Sequence, residues 1–345
     1  MGARRIVMIR TKTTVIVGQG ALAELDFPTP AEVLARAVQA FDFQRLGSNL
    51  QTDDMQAFDA LLQKVKGKTA ALKEAAGRVR AASRLSSSFP ALLQQMGEEQ
   101  HLVAITKLAI AYFTLQAEDR SAMEAEPRDP WDLPLRGSEN WLYQLAQLII
   151  DGVPHARAEH SLDNLAIVSF GSDRAIQNYM PWALHHGFGM ELTEARAICA
   201  DRLKLIQPYG TAGRLDWQTG DLPAAEWGAS DAKTLFGAAE GIRSAGEFSA
   251  DRQARSALTG ALSQSRRVVF LGFTANPLDT ALLFDERLPQ TPEALASLHG
   301  TDPLSGEVLR QVLSRTAGIG AEHLVHLTPD PSWQMLRANQ ALLGS

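Results

Sequence analysis

The chain has 345 residues, of which 45% are hydrophobic and 21% are charged, and its formal net charge is -6. This composition excludes a disordered or fibrous chain, and the length suits two average domains or one large domain with an insertion. The negative charge argues against a general attraction to nucleic acid or anionic lipid. Cys199 is the single cysteine, which excludes a disulfide framework and a multi-cysteine zinc ribbon.

Targeting and membrane signals are not evident. Basic residues at positions 4, 5 and 10 are not followed by the long apolar run and small-residue cleavage site of a secretory signal. The most apolar long stretch, residues 92–115, is interrupted by charged side chains, as in a core helix and unlike a membrane span. We therefore expect a protein of the reducing cytoplasm with no membrane partner.

The first predicted strand is Thr13–Val17, a β-branched run that enters a tight turn at residues 18–21. A short helical turn follows, and helical spacing resumes over residues 31–41. Residues 51–117 then show the apolar spacing of several helices without a strand between them. This block is too long for a single crossover between strands, so we predict a helical insertion or subdomain over residues 51–137.

A basic stretch lies within the predicted insertion, over residues 64–84. It contains seven lysines and arginines against a single acid, Glu74. The solvated face of a helix is one interpretation. A patch for a protein or nucleic-acid partner is the other, although no aromatic residues are interleaved with these charges for base stacking.

Strand-like segments return at 165–170, 203–207, 267–271 and 324–327, and a closing helix is predicted over 333–343. Continuous apolar strands separated by helices are typical of a parallel sheet covered on both faces. The predicted fold is therefore α/β, a Rossmann-like open parallel sheet with helices on both faces and a helical insertion. Residues 1–50 and 138–345 would form the Rossmann-type domain around the insertion.

Glycines follow four of the predicted strands. They are Gly18 with Gly20, Gly171, Gly210 and Gly272. Because the carboxyl ends of parallel strands line the ligand crevice of an open α/β sheet, this recurrence predicts a ligand there. The turn at 18–21 would offer helix-opening amides to a phosphate, or it is only a tight turn. The dinucleotide spacing Gly-x-Gly-x-x-Gly is not met, since position 23 is alanine.

Four blocks of the sequence resemble the sirtuin-like NAD-binding family. Val-Gly-Gln-Gly-Ala at 17–21, continuing to Leu-Asp-Phe-Pro-Thr at 25–29, is similar to Gly-Ala-Gly-Ala-Ser followed by Gly-Leu-Pro-Thr. Ser-Phe-Gly-Ser-Asp-Arg at 169–174 resembles Thr-Phe-Asn-Tyr-Asp-Arg. Ile-Gln-Pro-Tyr-Gly-Thr at 206–211 resembles Ile-His-Pro-Tyr-Gly-Ser, and Val-Phe-Leu-Gly-Phe at 269–273 matches a Phe-Leu-Gly-Phe strand end.

The resemblance implies a Rossmann-type sheet that binds NAD and an enzyme that cleaves the nicotinamide–ribose bond. Family deacetylases usually add a four-cysteine zinc ribbon, whereas sirtuin-like NADases of bacterial antiphage defence often lack it. This chain resembles the second group, and no zinc is expected. The nucleotide contacts that the resemblance and the strand ends together suggest are Gly18, Gln19, Gly20, Ala21, Gly171, Gly210, Thr211, Gly272 and Asn276.

The sequence departs from the family at its catalytic positions. The family's asparagine falls at Gly171, and its histidine, the usual base, aligns with Tyr209 or Gln207. A tyrosine has an unperturbed pKa near 10 and a glutamine does not titrate, so neither is a ready base at neutral pH. The remaining catalytic candidates are Asp173, which matches the family's acid, His186 and Tyr209.

The histidines, Asp173 and Asn276 also have ordinary structural interpretations. His185 and His186 are adjacent, so on a helix they point to different faces and do not share a metal. His155 and His160 are five residues apart, a poor spacing for one helical face. Asp173 in such a loop often binds backbone amides, and Asn276 before a proline fits a plain turn.

Three functions remain open at this point. The first is a degenerate module that binds NAD or an ADP-ribose-containing nucleotide without efficient catalysis, as a sensor or a subunit of a larger assembly. The second is an active NAD glycohydrolase that uses non-family residues. The third is a structural or interaction protein with a vestigial pocket. The expected partners are a nucleotide and either another protein or further copies of the chain, and nucleic acid is not expected.

Overall fold

The structure is a computed structural model that describes residues 9–43, 51–65, 67–97, 99–285, 287–298 and 303–344. Its six-stranded sheet has the order β3-β2-β1-β4-β5-β6, and every neighbouring pair is parallel. The strands are β1 Thr13–Val17, β2 Leu165–Ser169, β3 Lys204–Ile206, β4 Arg267–Leu271, β5 Glu293–Ser297 and β6 Leu324–Thr328.

Burial of the central strands shows why the sheet is covered on both sides. All five positions of β1, β2 and β4 are buried, although successive side chains of a strand point to opposite faces. Both faces are therefore packed, as the apolar strand sequences require. The α/β fold with an open parallel sheet is confirmed.

The predicted strands are confirmed, and three of them differ in their bounds. The strand predicted at 203–207 is shorter, Lys204–Ile206, and those predicted at 165–170 and 324–327 each end one residue away from the predicted position. One strand, β5, was not predicted. The β5 sequence Glu-Ala-Leu-Ala-Ser contains no β-branched or aromatic residue, so its local preference for a strand is weak. Its pairing with β4 and β6 holds it in the sheet.

Helices occupy most of the rest of the described chain. They are α1 Pro30–Ala40, α2 Asp53–Gln63, α3 Thr69–Ala82, α4 Phe89–Gln95, α5 Gln100–Arg120, α6 Trp141–Ile150, α7 Ala175–Phe188, α8 Leu192–Arg202, α9 Ala232–Glu240, α10 Ala245–Ala250, α11 Arg252–Gln264, α12 Pro277–Leu283, α13 Pro303–Val312, α14 Ser332–Ala338 and α15 Gln340–Leu343. Short 3-10 helices lie at Gln19–Leu25, Ser83–Leu85 and His155–His160, and a π-helical turn at Leu313–Ala317.

Polar residues cap several of these helices where the sequence places them. The Oδ1 atom of Asn140 accepts a hydrogen bond from the Tyr143 amide at 2.8 Å and starts α6. Thr29 and Glu32 form a reciprocal capping box at the start of α1. Such caps satisfy amides that have no partner within the helix.

The described chain divides into two compact units. The first comprises Met1–Phe27, Ser121–Pro208 and Ser249–Ser345 and contains the sheet, whereas the second comprises Pro28–Arg120 and Tyr209–Phe248. The second unit is helical and has its own core around the rings of Phe58, Tyr112 and Phe113. This unit is larger than the helical block at 51–137, and the predicted domain division stays a prediction.

None of the helices within the described residues combines the length and the hydropathy that a membrane crossing needs.

Candidate functional site

The strand order identifies one place in the sheet where a crevice is expected. From β1 the chain adds β2 and β3 on one side and β4, β5 and β6 on the other, so the order reverses between β1 and β4. Val17 of β1 pairs with Ser169 of β2 and Leu271 of β4, and the three strands therefore end level. Open α/β sheets bind ligands outside the carboxyl ends of their strands at such a reversal.

The loops that follow β1 and β4 pack directly against each other. The amide of Gly20 donates to the carbonyl of Gly272 at 3.1 Å, and the amide of Gly18 donates to Leu271 at 2.8 Å. A Cβ atom on Gly18 would lie 2.4 Å from the Gly272 carbonyl oxygen, and one on Gly272 would lie 2.2 Å from the Ala21 nitrogen. Gly272 also has a positive φ of 55°. Contacts within the protein therefore require both glycines.

These contacts bear on the predicted phosphate loop at residues 18–21. The amides of Gly18, Gly20 and Ala21 all donate to protein carbonyls, the last to Gly18 at 3.2 Å. Gln19 is the first residue of the 3-10 helix, a position whose amide has no partner within the helix. Of the four loop amides, that of Gln19 is therefore the best placed to meet a phosphate.

The loop after β2 is held by the side chain of Gln207. The Nε2 atom of Gln207 donates to the carbonyls of Gly171 at 3.1 Å and Asp173 at 2.9 Å. Its Oε1 atom accepts from Gln177 of α7 at 2.7 Å. Gln207 is one of the two residues that align with the family's histidine. Here its side chain joins the end of β3 to the loop after β2.

Asp173 fills the space beside Gly171. It is 5% exposed, and its Oδ1 atom accepts from the amide of Ala175, the first residue of α7, at 3.0 Å. A Cβ atom on Gly171 would lie 2.1 Å from the Asp173 Oδ2 atom. The asparagine that the family has at this position therefore does not fit while Asp173 keeps its place.

A serine pair extends this carboxyl edge to β5 and α14. The amide of Gly272 donates to Ser297 at the end of β5, at 3.1 Å to its carbonyl and 3.2 Å to its hydroxyl. The Ser297 hydroxyl donates to that of Ser332 at 2.9 Å. Sequence reasoning missed Ser297 because it missed β5. A serine at the end of an apolar run was the one available signal.

Glu24 ties the loop after β1 to the start of α14. Its carboxylate accepts from the amides of Ser332 at 2.5 Å and Trp333 at 3.2 Å. Burial raises the pKa of Glu24, while these amides act in the opposite direction. The buried indole of Trp141 donates to the carbonyl of Ala21 at 3.0 Å and fixes the same 3-10 helix from α6.

Asn276 lies in the loop after β4, as predicted, and caps α12. Its Oδ1 atom accepts from the amide of Asp279 at 2.9 Å, and its Nδ2 atom donates to the Asp279 carboxylate. The preceding residue, Ala275, has a φ of 52°, in a region that costs a non-glycine residue free energy. Such strain is concentrated at binding sites in many proteins.

The structure does not bring His186 to this edge. His186 lies in the last turn of α7, and Asp173 precedes the first turn, so the 11-residue separation from Ala175 to His186 spans roughly 16 Å along the helix. The Nε2 atom of His186 is bonded to the carbonyl of Asp132 at 2.9 Å. The Nδ1 atom of His185 is bonded to the Met190 carbonyl.

The other two predicted histidines have partners of their own. His155 is bonded through Nδ1 to the carbonyl of Phe188 at 2.7 Å, and His160 to the Asp163 carboxylate at 2.9 Å. These contacts agree with the ordinary structural roles that the sequence favoured.

Tyr209, Gly210 and Thr211 belong to the second unit. There the Tyr209 carbonyl accepts from the Arg243 amide at 2.9 Å, and the Thr211 amide donates to Gly241 at 3.1 Å. Gly210 has a φ of 73°, and a Cβ atom on it would lie 2.0 Å from the Gly241 carbonyl oxygen. A backbone contact again requires the glycine, and Tyr209 is only 2% exposed.

Within the described residues, no group of three or more histidine, cysteine, aspartate or glutamate side chains is arranged to hold a metal ion. Cys199 is buried in α8, and burial raises the pKa of its thiol to about 12. The thiol therefore stays protonated at neutral pH and is a poor nucleophile.

Comparison with known proteins adds no further assignment. No protein-family model matches the chain, and a search of curated proteins found no significant match. The sirtuin-like resemblance therefore depends on the four sequence blocks alone.

Proposed function

We propose that the chain is a degenerate sirtuin-like module that binds NAD or another ADP-ribose-containing nucleotide without cleaving it efficiently. The observation that carries the proposal is the strand order, which reverses between β1 and β4 as in dinucleotide-binding folds. Two of the four resembling blocks span the carboxyl ends of those strands. In the cell such a module acts as a nucleotide sensor or as a subunit of a larger assembly.

The contacts at Gly171 and Gln207, where the family has asparagine and histidine, support weak turnover. Asp173 occupies the space that a side chain on Gly171 would need. Gln207 is bonded through both ends of its amide, to the loop after β2 and to Gln177. Neither position supplies a titratable base, and His186 lies at the far end of α7 from Asp173.

A second candidate, a structural or interaction protein with a vestigial pocket, is favoured by one observation. Three of the four amides in the predicted phosphate loop already donate to protein carbonyls. A loop that keeps these bonds offers few backbone donors to a phosphate. Binding by this loop would then depend on the Gln19 amide, the helix dipole and nearby side chains.

Calorimetric titration with NAD and with ADP-ribose, together with a nicotinamide-release assay, separates the possibilities. Binding without release supports the proposal. Release that is lost in Asp173→Asn would instead indicate an active NAD glycohydrolase, because asparagine keeps an Oδ1 acceptor for the Ala175 amide and removes the carboxylate. If neither binding nor release is observed, the structural or interaction protein is the function that remains.

A variant pair tests the loop itself. Gly20→Val adds a branched side chain to the buried glycine of the loop and should abolish nucleotide binding. Ala23→Val places the same branched side chain at an exposed position of the same 3-10 helix and should bind as the wild type does. Circular dichroism and urea unfolding establish that both variants are folded. Equal affinity of the two folded variants would contradict the assignment of residues 18–21 as the phosphate loop.

A further inference from the structure

A closed loop in the first unit presents an exposed tryptophan. Trp131 is 86% exposed and lies in the segment 124–136. The amide of Glu124 donates to the carbonyl of Pro134 at 2.8 Å and closes the loop at its base. At its tip the amide of Trp131 donates to the Asp129 carboxylate at 3.0 Å. The loop is therefore an ordered support for one large apolar side chain.

Two ion pairs and three prolines stiffen this tryptophan loop. Arg128 pairs with Glu124 at 3.1 Å, and Arg136 pairs with Asp132 at 3.1 Å. Prolines at 127, 130 and 134 lower the entropy that ordering the segment costs. A rigid aromatic anchor loses little freedom on binding, which is a property of interface hot spots.

The tryptophan loop is acidic. It contains four acids, at 124, 126, 129 and 132, against two arginines, both of which pair with acids of the loop itself. The expected receptor is therefore an apolar groove with positive charge at its edge.

A groove of this kind lies in the second unit, between α3, α5 and α9. Its cavity has a volume of about 670 Å³, and apolar side chains from all three helices, including Leu72, Leu108 and Phe236, line it. Lys64 and Lys68, from the segment between α2 and α3, are exposed at its edge. They belong to the basic stretch for which the sequence suggested a possible partner.

The charge at the groove is positive on balance. Lys107 also lines it but pairs with Glu247 at 2.7 Å, and Glu240 is the one acid among the described residues that line it. Lys64 and Lys68 therefore supply the field at the edge, next to the apolar floor. This combination matches an aromatic ring with a carboxylate beside it.

We propose that the groove of one copy of this chain receives the tryptophan loop of a second copy. Trp131 would pack on the apolar floor, and the Asp129 carboxylate would lie towards Lys64 and Lys68. An aromatic side chain buries enough area to dominate such a contact. Because each copy has one loop and one groove, the contact is heterologous and builds a closed ring or an open chain of copies.

Sedimentation velocity over a range of concentrations tests this proposal with two complementary variants. Trp131→Ala removes the loop's anchor, and the double variant Lys64→Glu with Lys68→Glu reverses the groove's charge. For each variant alone, the association constant should be lower than that of the wild type by a factor of roughly ten or more. An equimolar mixture should recover association but stop at the dimer, because only one intact loop and one intact groove can meet in each pair.

Leu85→Ala is the control for a loss of exposed apolar surface. Leu85 is 90% exposed and lies outside both the groove and the tryptophan loop, so its variant should associate as the wild type does. All substituted side chains are exposed, and circular dichroism checks that each variant is folded. A wild type that stays monomeric at every concentration would overturn the proposal. Variants that assemble normally, or a mixture that fails to recover association, would do the same.

Discussion

Gly272→Ala tests whether the loops after β1 and β4 are packed as the structure describes. An added Cβ would lie 2.2 Å from the Ala21 nitrogen and 2.6 Å from the Gly20 carbonyl carbon, where ordinary contacts begin at 3.4 Å. The two loops would have to separate by about 1 Å in a close-packed region. Both neighbours are backbone atoms, so no side chain can turn away to relieve the contact.

The expected loss of stability has two parts. A non-glycine residue at the positive φ of Gly272 costs about 1 to 2 kcal/mol, and overpacking at a buried position costs about 1 to 3 kcal/mol. Gly272→Ala should therefore lower the free energy of unfolding by about 3 kcal/mol. Urea titration followed by circular dichroism measures this change.

Gly260→Ala is the matched control for this substitution. Gly260 lies within α11, and a Cβ atom on it would have no atom within 4 Å. Alanine is the better helix former, so this variant should gain about 1 kcal/mol of stability. A loss below about 1 kcal/mol for Gly272→Ala, or the same change for both variants, would refute the described packing.

Three more predictions concern Gln207 and Glu24 at the site and Cys199 in α8. Gln207→Met removes the two hydrogen bonds that hold Gly171 and Asp173 and should cost about 2 kcal/mol in urea unfolding. Glu24 has a raised pKa when folded, so the folded state holds its proton more tightly and loses stability as the pH rises above the ordinary value of 4.5. The unfolding free energy of the wild type minus that of Glu24→Gln should therefore fall above that pH and level off once Glu24 ionises in the folded state, and a pH-independent difference would contradict this. Cys199 should resist alkylation at about pH 8 until the chain unfolds, because burial raises the pKa of its thiol to about 12. Rapid labelling of the native protein, followed by mass spectrometry, would disagree with its burial.

The fold could be predicted because the central strands carry their own local signal. The β-branched runs of β1 and β4 favour strands wherever they lie, and both have the predicted bounds. β5 lacks that signal and depends on pairing with its neighbours. The second unit could not be outlined either, because Tyr209–Phe248 joins helices from the first third of the chain through contacts distant in sequence.

The sequence predicted loops at the carboxyl edge of the sheet, but not the contacts within them. Gly18, Gly171 and Gly272 lie in loops after strands, yet the sequence does not distinguish a glycine required by a ligand from one required by a neighbouring loop. Gly18 and Gly272 meet each other, and Gly171 makes room for Asp173. The bonds from Gln207 to the loop after β2 depend on how β3 lies beside β2, which no local pattern reveals.

The central claim is that a nucleotide binds where the sheet order reverses and stays intact. Crystals of the protein soaked with NAD test it most directly, because electron density shows both the place and the chemical state of the ligand. The account predicts a pyrophosphate beside Gln19, at the carboxyl ends of β1 and β4, with the nicotinamide–ribose bond unbroken. Density for a cleaved product, or no nucleotide at these strand ends at saturating NAD, would contradict it.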